Sequence, residues 1–193
     1  MSEITRHLID LENLPEYFPT QKHEGQFWEA LGRAVATFGF LEDTLCRAIY
    51  AFSVTQTYKE DEIEDALKKI LVKVRRSMSD QLWGLIETFG KAVREHPEAT
   101  IENLDDLIQC LKEAAEIRNV ICHASWPKPN DEGFSIPRFV NKKELIFLTP
   151  ISIKELHQTR ENAAELVCAV ANTVTHMGWQ FPGTNGPGKK ISQ

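Results

Sequence analysis

Residues 113–126 read EAAEIRNVICHASW, and the pattern Arg-Asn-x-x-x-His occupies positions 118 to 123. In an α-helix, which turns by about 100° per residue, Arg118 shares a face with an apolar stripe. The stripe residues, all within about 40° of Arg118, are Leu104, Leu107, Leu111, Ala114 and Cys122. A guanidinium buried there without a partner would be costly. Arg118 therefore has a partner inside the fold, or it lies where the stripe leaves the core and meets a cleft or another subunit.

Asn119 and His123 are one helical turn apart and are neighbours on one face. Together with Arg118 they span an arc of about 140°, so a cation, an amide and an imidazole can reach one small anionic group. The alternative to a functional role is that Arg118 and His123 only stabilise the end of the helix. A cation in the last turn of a helix gains about 0.3–1 kcal/mol from the helix dipole. That alternative explains His123 but not a core-facing Arg118. Asn119 is equally compatible with a plain polar residue on a helix flank.

Outward from this stretch, apolar residues at steps of three and four predict a helix over residues 24–53. Similar patterns predict helices over residues 60–76, 79–95 and 100–124. A last helix is predicted to start with Thr149-Pro150 or Ser152 as its cap and to run to about residue 177. In the second of these five helices, the residues expected to face inward are Ile63, Leu67, Ile70 and Val74. Glu42 lies off the apolar stripe of the first helix. It could pair with Arg118, but we expect it to be exposed. Trp126 is expected to cover one end of the bundle.

Two strand-like runs, residues 134–140 and 144–148, flank a turn and predict a β-hairpin whose first strand is an edge strand because of Pro137. The expected fold is therefore all-α, a bundle of about five helices with one small β-hairpin between the last two helices. Residues 1–22 are expected to form an N-terminal arm, residues 23–180 the helical domain and residues 181–193 a disordered tail. A length of 193 residues fits one domain of this kind.

Composition narrows the functional classes. No apolar run approaches the ~18 residues of a membrane span, and we expect a cytoplasmic protein. The four cysteines form no Cys-x-x-Cys pair and are expected to be reduced core residues; they are Cys46, Cys110, Cys122 and Cys168. No metal site or cofactor is predicted. The formal net charge of −6 argues against broad nucleic-acid binding, so RNA would need a local positive patch. The basic run at residues 68–76 is typical of a solvated helix face, with RNA tracking as the alternative.

The Arg118-Asn119-x-x-x-His123 pattern resembles the signature of the HEPN superfamily. It stands near the end of a long amphipathic helix, follows acidic residues, and precedes a strand-like pair and a closing helix. The resemblance covers about residues 24–178. HEPN proteins are small helical bundles, many of them metal-independent endoribonucleases of toxin–antitoxin, phage-defence and RNA-processing systems. The resemblance implies catalytic roles for Arg118, Asn119 and His123 in a cleft shared by two motif helices. Homodimerisation, RNA as substrate and an antitoxin or regulatory protein as a further partner would follow.

The chemistry of metal-free RNA cleavage fits these residue types. The ribose 2′-OH attacks the adjacent phosphorus and the 5′-oxygen leaves. An imidazole can act as base or acid near neutral pH, and a guanidinium can stabilise the charge on the phosphate. Asn119 can orient the imidazole or donate to a phosphate oxygen. Two alternatives stay open, namely a HEPN-like module that binds nucleotide, RNA or a partner protein without cleaving, and a purely structural dimerisation unit.

Overall fold

The computed structural model describes residues 7–77, 81–141 and 143–186. Within these residues the chain forms five α-helices, which confirms the all-α prediction. They are α1 (Gly25–Val54), α2 (Ile63–Ser77), α3 (Leu82–Arg94), α4 (Leu104–His123) and α5 (Ile153–His176). Short 3-10 turns, Leu11–Asn13 and Glu60–Glu62, precede α1 and α2. No described helix has both the length and the apolar character needed to cross a membrane.

Aromatic contacts at the two ends of the bundle fix the helix directions. Phe52, near the end of α1, contacts His96 just after α3 and Trp179 just after α5, with ring centroids 5.8 and 5.5 Å apart. Phe27, near the start of α1, contacts Trp126 just after α4 at 5.0 Å. The ends of α1, α3 and α5 therefore gather at one end of the bundle, and the end of α4 lies at the other. Trp126 covers that end, as predicted.

The core is built around α1, because its apolar residues recur at helical spacing and α1 contacts all four other helices. Side chains with almost no exposed surface come from α1, α3, α4 and α5, and the largest include Phe38, Phe52, Phe89, Leu111 and Leu156. Burying each such side chain contributes roughly 1.5–3 kcal/mol. Helix α5 starts at a capping box in which the Ser152 and Glu155 side chains satisfy each other's backbone donors. Helix α4 packs against both α3 and α5. Its last turn lies at the end of the bundle that Trp126 covers.

Helix α2 packs by a different face from the predicted one. Ile63 and Leu67 were expected to face inward, but each is 53% exposed, whereas Ala66 and Ile70 are buried. The apolar face of α2 is wider than the surface that the bundle offers, so only one flank of it is covered. The prediction for Ile63 and Leu67 is therefore wrong, the one for Ile70 is confirmed, and the side chain of Val74 lies outside the described ones.

The predicted β-hairpin is not confirmed. Between α4 and α5 the described residues form three isolated antiparallel bridges, which pair Ser125 with Arg138, Ser135 with Ile151, and Val140 with Ile146. Pro137 has no N–H to donate to a ladder, and Glu144 has a φ of 61°, outside the strand region. These two features limit the pairing to single bridges. Residues 124–152 are called the α4–α5 connection below.

Parts of the predicted arm and of the predicted tail contact the bundle. In the arm, the Trp28 indole N–H donates to the Thr20 carbonyl oxygen at 2.8 Å, and His23 stacks on Phe27. Phe181, which the sequence analysis placed in the tail, is 7% exposed and packs into the core. Residues 187–193 of the predicted tail, and Lys142 at the predicted turn, lie outside the described residues.

Candidate functional site

Arg118 forms an ion pair with Glu42 across the interface between α4 and α1. Its Nη2 donates to Glu42 Oε1 at 3.0 Å, and the two side chains are 25% and 26% exposed. The expectation that Glu42 is simply exposed is therefore wrong. Glu42 lies off the buried stripe of α1, but α4 packs beside that flank and presents Arg118 to it. The sequence analysis offered two alternatives for Arg118, a partner inside the fold or a position where the stripe leaves the core. Arg118 has a partner within the fold and also reaches solvent.

The contact with Glu42 uses only part of the guanidinium. An arginine side chain carries five N–H donors in one plane, and the hydrogen bond to Glu42 comes from Nη2 alone. No other side-chain hydrogen bond or ion pair joins Arg118 to a described residue. The remaining donors are thus available to an anion that approaches from the solvent side. Glu42 in turn holds the guanidinium in one place, which a lone surface arginine would not achieve.

Asn119 and His123, the other two residues of the motif, are exposed. Neither side chain makes a hydrogen bond or ion pair with a residue that the structure describes. His123 is the last residue of α4, and the chain continues into extended backbone at Ala124. The structure therefore brings the three motif residues to one end of α4 but not into contact with one another. Arg118 points towards α1, while Asn119 and His123 face solvent.

Cys122 is a member of this site that the sequence analysis assigned to the core. It stands one turn after Arg118 and is half-buried. Burial raises the pKa of the Cys122 thiol above its ordinary value, the Arg118 guanidinium lowers it, and the Glu42 carboxylate raises it. The balance favours the protonated thiol, which is a poor nucleophile. The spacing of four residues from Arg118 was the available signal for this proximity.

The other three cysteines also test the prediction that all four cysteines are core residues. Cys110 and Cys168 are exposed, whereas Cys46 and Cys122 are half-buried and pack against the core. The expectation of core cysteines is therefore wrong for Cys110 and Cys168. An apolar helical position does not guarantee burial when the helix lies at the surface of the bundle.

A groove of about 770 Å³ runs between α4 and α5, and Ile117 is the last residue of α4 that lines it. Its floor is apolar and comes from α1, α4 and α5, with Phe38, Leu107, Ala114, Ile117, Ala163, Leu166 and Ala169 as lining residues. Its rim is acidic and carries Asp106, Glu113 and Glu165. The apolar stripe of α4 thus leaves the core here, as the position of Arg118 suggested. Three carboxylates repel phosphate, so this groove does not suit RNA.

Neither a metal-binding cluster among the described residues nor a known relative adds to the description of this site. In the part of the chain that the structure describes, no three His, Cys, Asp or Glu side chains are grouped so that they could hold a metal ion. A comparison of the chain with family models finds no match, and neither curated proteins nor solved structures match it. The resemblance to HEPN proteins therefore rests on the sequence pattern alone and stays a prediction.

Proposed function

We propose that this chain is a metal-independent endoribonuclease of the HEPN type, with a site shared between two copies, in a prokaryotic defence or toxin system. One observation carries the proposal. At a single end of α4, a partly exposed Arg118 keeps N–H donors that Glu42 does not use, while the His123 imidazole faces solvent without a partner among the described residues. A cation and a proton-transfer group with these properties are what cleavage of a phosphodiester requires.

In the proposed reaction the ribose 2′-OH gives up its proton to one imidazole and attacks the adjacent phosphorus. The P–O5′ bond breaks, and a second imidazole gives a proton to the leaving 5′-oxygen. The products are a 2′,3′-cyclic phosphate and a 5′-hydroxyl. Arg118 donates to the non-bridging oxygens as their charge rises, and Glu42 holds the guanidinium in position. Asn119 orients the imidazole or donates to a phosphate oxygen.

Within one copy, the end of α4 presents one exposed histidine, His123. The nearby His23 is stacked on Phe27 and hydrogen-bonded to the Pro127 carbonyl oxygen, so a second copy is taken to provide the other proton-transfer group. Two copies that met groove to groove would bring Asp106, Glu113 and Glu165 against their own equivalents. We therefore place the twofold nearer to the end of α4, where Arg118 and His123 lie. The α4–α5 connection, which follows α4 directly, carries exposed apolar side chains that a second copy could cover, namely Leu145, Ile146 and Leu148.

A second candidate function is a HEPN-like module that binds nucleotide, RNA or a partner protein without cleaving it. The Arg118–Glu42 ion pair favours this candidate, because a guanidinium committed to a carboxylate stabilises the packing of α4 on α1 without any ligand. The endoribonuclease requires the shape of the Arg118 guanidinium as well as its charge, and an Arg118→Lys variant tests this requirement. Lysine keeps the charge and can still pair with Glu42, but it loses the planar fork that grips two phosphate oxygens.

RNA cleavage by the wild type and by Arg118→Lys, both in EDTA, tests the proposal. We expect the wild type to cut RNA and the variant to remain folded but substantially impaired. RNA binding without any cleavage by the wild type would reject the endoribonuclease in favour of the binding module.

A further inference from the structure

Arg138 lies beside the end of α4 because the α4–α5 connection pairs with the chain there. The Arg138 N–H donates to the Ser125 carbonyl oxygen at 2.9 Å, and the Ser125 N–H donates back at 3.3 Å. Antiparallel residues that exchange both hydrogen bonds have Cα atoms about 5.5 Å apart and side chains on the same side. Both side chains are exposed. The Ser125 hydroxyl and the Arg138 guanidinium therefore face solvent together, two residues beyond His123.

The Arg138 guanidinium makes no ion pair or side-chain hydrogen bond with any residue that the structure describes. Among the described arginines, Arg75 on α2 shares this property. Five other arginines each contact a carboxylate: Arg33, Arg47, Arg94, Arg118 and Arg160. On the same face as Arg138, its neighbours Ile136 and Val140 are apolar and exposed. The local chain thus presents a cation with no carboxylate to neutralise it.

The distance from His123 is short enough for one RNA strand to contact both residues. Two residues of extended chain span at most about 7 Å, and the bridge adds about 5.5 Å. The Cα atoms of His123 and Arg138 therefore lie within about 13 Å of each other. We propose that Arg138, with the Ser125 hydroxyl beside it, is a second phosphate-binding site, which holds a phosphate of single-stranded RNA next to the one that is cleaved. This inference rests on the proposed function and gives the site a cation that Glu42 does not share.

Binding of an uncleavable RNA analogue tests the phosphate site separately from catalysis. The probe is a single-stranded octanucleotide with 2′-O-methyl riboses, titrated at several salt concentrations. Losing one phosphate contact lowers the slope of log K against log salt by about 0.7 for a single strand. We expect this decrease for Arg138→Gln and no decrease for Arg138→Lys. Arg33→Gln, which removes an exposed arginine paired with Glu29 on α1, is the matched control and should bind like the wild type.

Cleavage provides the second readout. Arg138→Gln should lower kcat/KM for an all-ribose octanucleotide but leave a dinucleoside monophosphate, which has a single phosphate, unchanged. An Arg138→Gln slope equal to that of the wild type, or equal losses with both substrates, would overturn the inference. A reduced slope in a protein whose wild type cuts no RNA would uphold the phosphate site and reject only the endoribonuclease. Absence of any binding by the wild type would overturn the phosphate site as well.

Discussion

Arg118 on α4 donates one hydrogen bond to Glu42 on α1, and each side chain keeps about a quarter of its surface exposed. The pair is therefore neither a solvated surface contact nor a sealed one. A sealed pair could not reach a substrate, and a solvated pair would leave the guanidinium mobile. The intermediate position gives Arg118 a fixed place and free donors, which is the basis of the functional account.

Replacing Glu42 by glutamine should weaken both the fold and the reaction. Removing one partner of a half-buried pair is expected to lower the free energy of unfolding by about 1 kcal/mol. RNA cleavage should fall several-fold, because Arg118 loses the group that positions it. Chemical denaturation and cleavage assays on the same preparation measure both effects. Glu29→Gln, in the exposed pair with Arg33, is the control and should cost less than about 0.5 kcal/mol. If the two variants behave alike, Glu42 has no positioning role.

Replacing His123 by alanine should abolish RNA cleavage and leave the fold intact. The side chain is exposed, so its loss is expected to change the free energy of unfolding by no more than about 0.5 kcal/mol. His176 offers a matched control, because it is also exposed and is also the last residue of a helix, but it lies at the opposite end of the bundle. His176→Ala should cleave at the wild-type rate. Cleavage by His123→Ala at that same rate would show that the catalytic assignment is wrong.

The chain should form a twofold dimer in solution. The reaction needs two proton-transfer groups, and each copy presents one at the end of α4. Light scattering should give twice the mass of the chain, and Leu145→Glu together with Ile146→Glu should lower this mass and the cleavage rate together. A wild-type protein that cleaves RNA while remaining a monomer at assay concentration would be incompatible with a shared site.

His23 should make the stability of the fold depend on pH. Burial lowers the pKa of His23, and the hydrogen bond to the Pro127 carbonyl oxygen opposes this shift in part. The unfolded chain, whose histidines titrate near 6.5, then binds more protons than the folded chain. The free energy of unfolding should therefore be highest above about pH 6.5 and fall as the pH drops towards the lowered pKa.

Comparison with His23→Gln isolates this contribution. Glutamine keeps an N–H donor for the Pro127 carbonyl but does not titrate, so the variant should lose part of the decrease below about pH 6.5. Denaturation curves at several pH values measure it. An unchanged pH dependence in the variant would mean that His23 titrates alike in the folded and unfolded chains.

Much of the fold follows from the sequence because helical periodicity is a local property. The spacing of apolar residues predicts α1 to within one residue at each end, since residues such as Phe38 and Leu45 must all face one core. For the start of α5 the sequence offered two caps, Thr149-Pro150 and Ser152, and the structure has Ser152. The motif helix α4 was predicted to start about four residues early, because the polar residues before Leu104 do not oppose a helix strongly.

Other features of the fold and of the site depend on how the helices pack against one another. The local sequence pattern does not encode this packing. The pairing of Glu42 with Arg118 requires α4 to pack beside one flank of α1. The exposure of Ile63 and Leu67 reflects how little of α2 the bundle covers. The short bridges between α4 and α5 reflect the positive φ of Glu144, which its residue type did not reveal. The position of Arg138 beside the end of α4 follows from one of these bridges.

The most direct test of the account uses two RNA substrates in EDTA, identical except for a 2′-deoxyribose at the cleaved position. We predict that the all-ribose substrate is cut to a 2′,3′-cyclic phosphate and a 5′-hydroxyl, whereas the deoxy substrate is inert because the attacking group is gone. Cleavage of the deoxy substrate at the same rate, or a strict requirement for added Mg²⁺, would contradict the mechanism. The Arg118, Asn119 and His123 motif would then mark a binding fold.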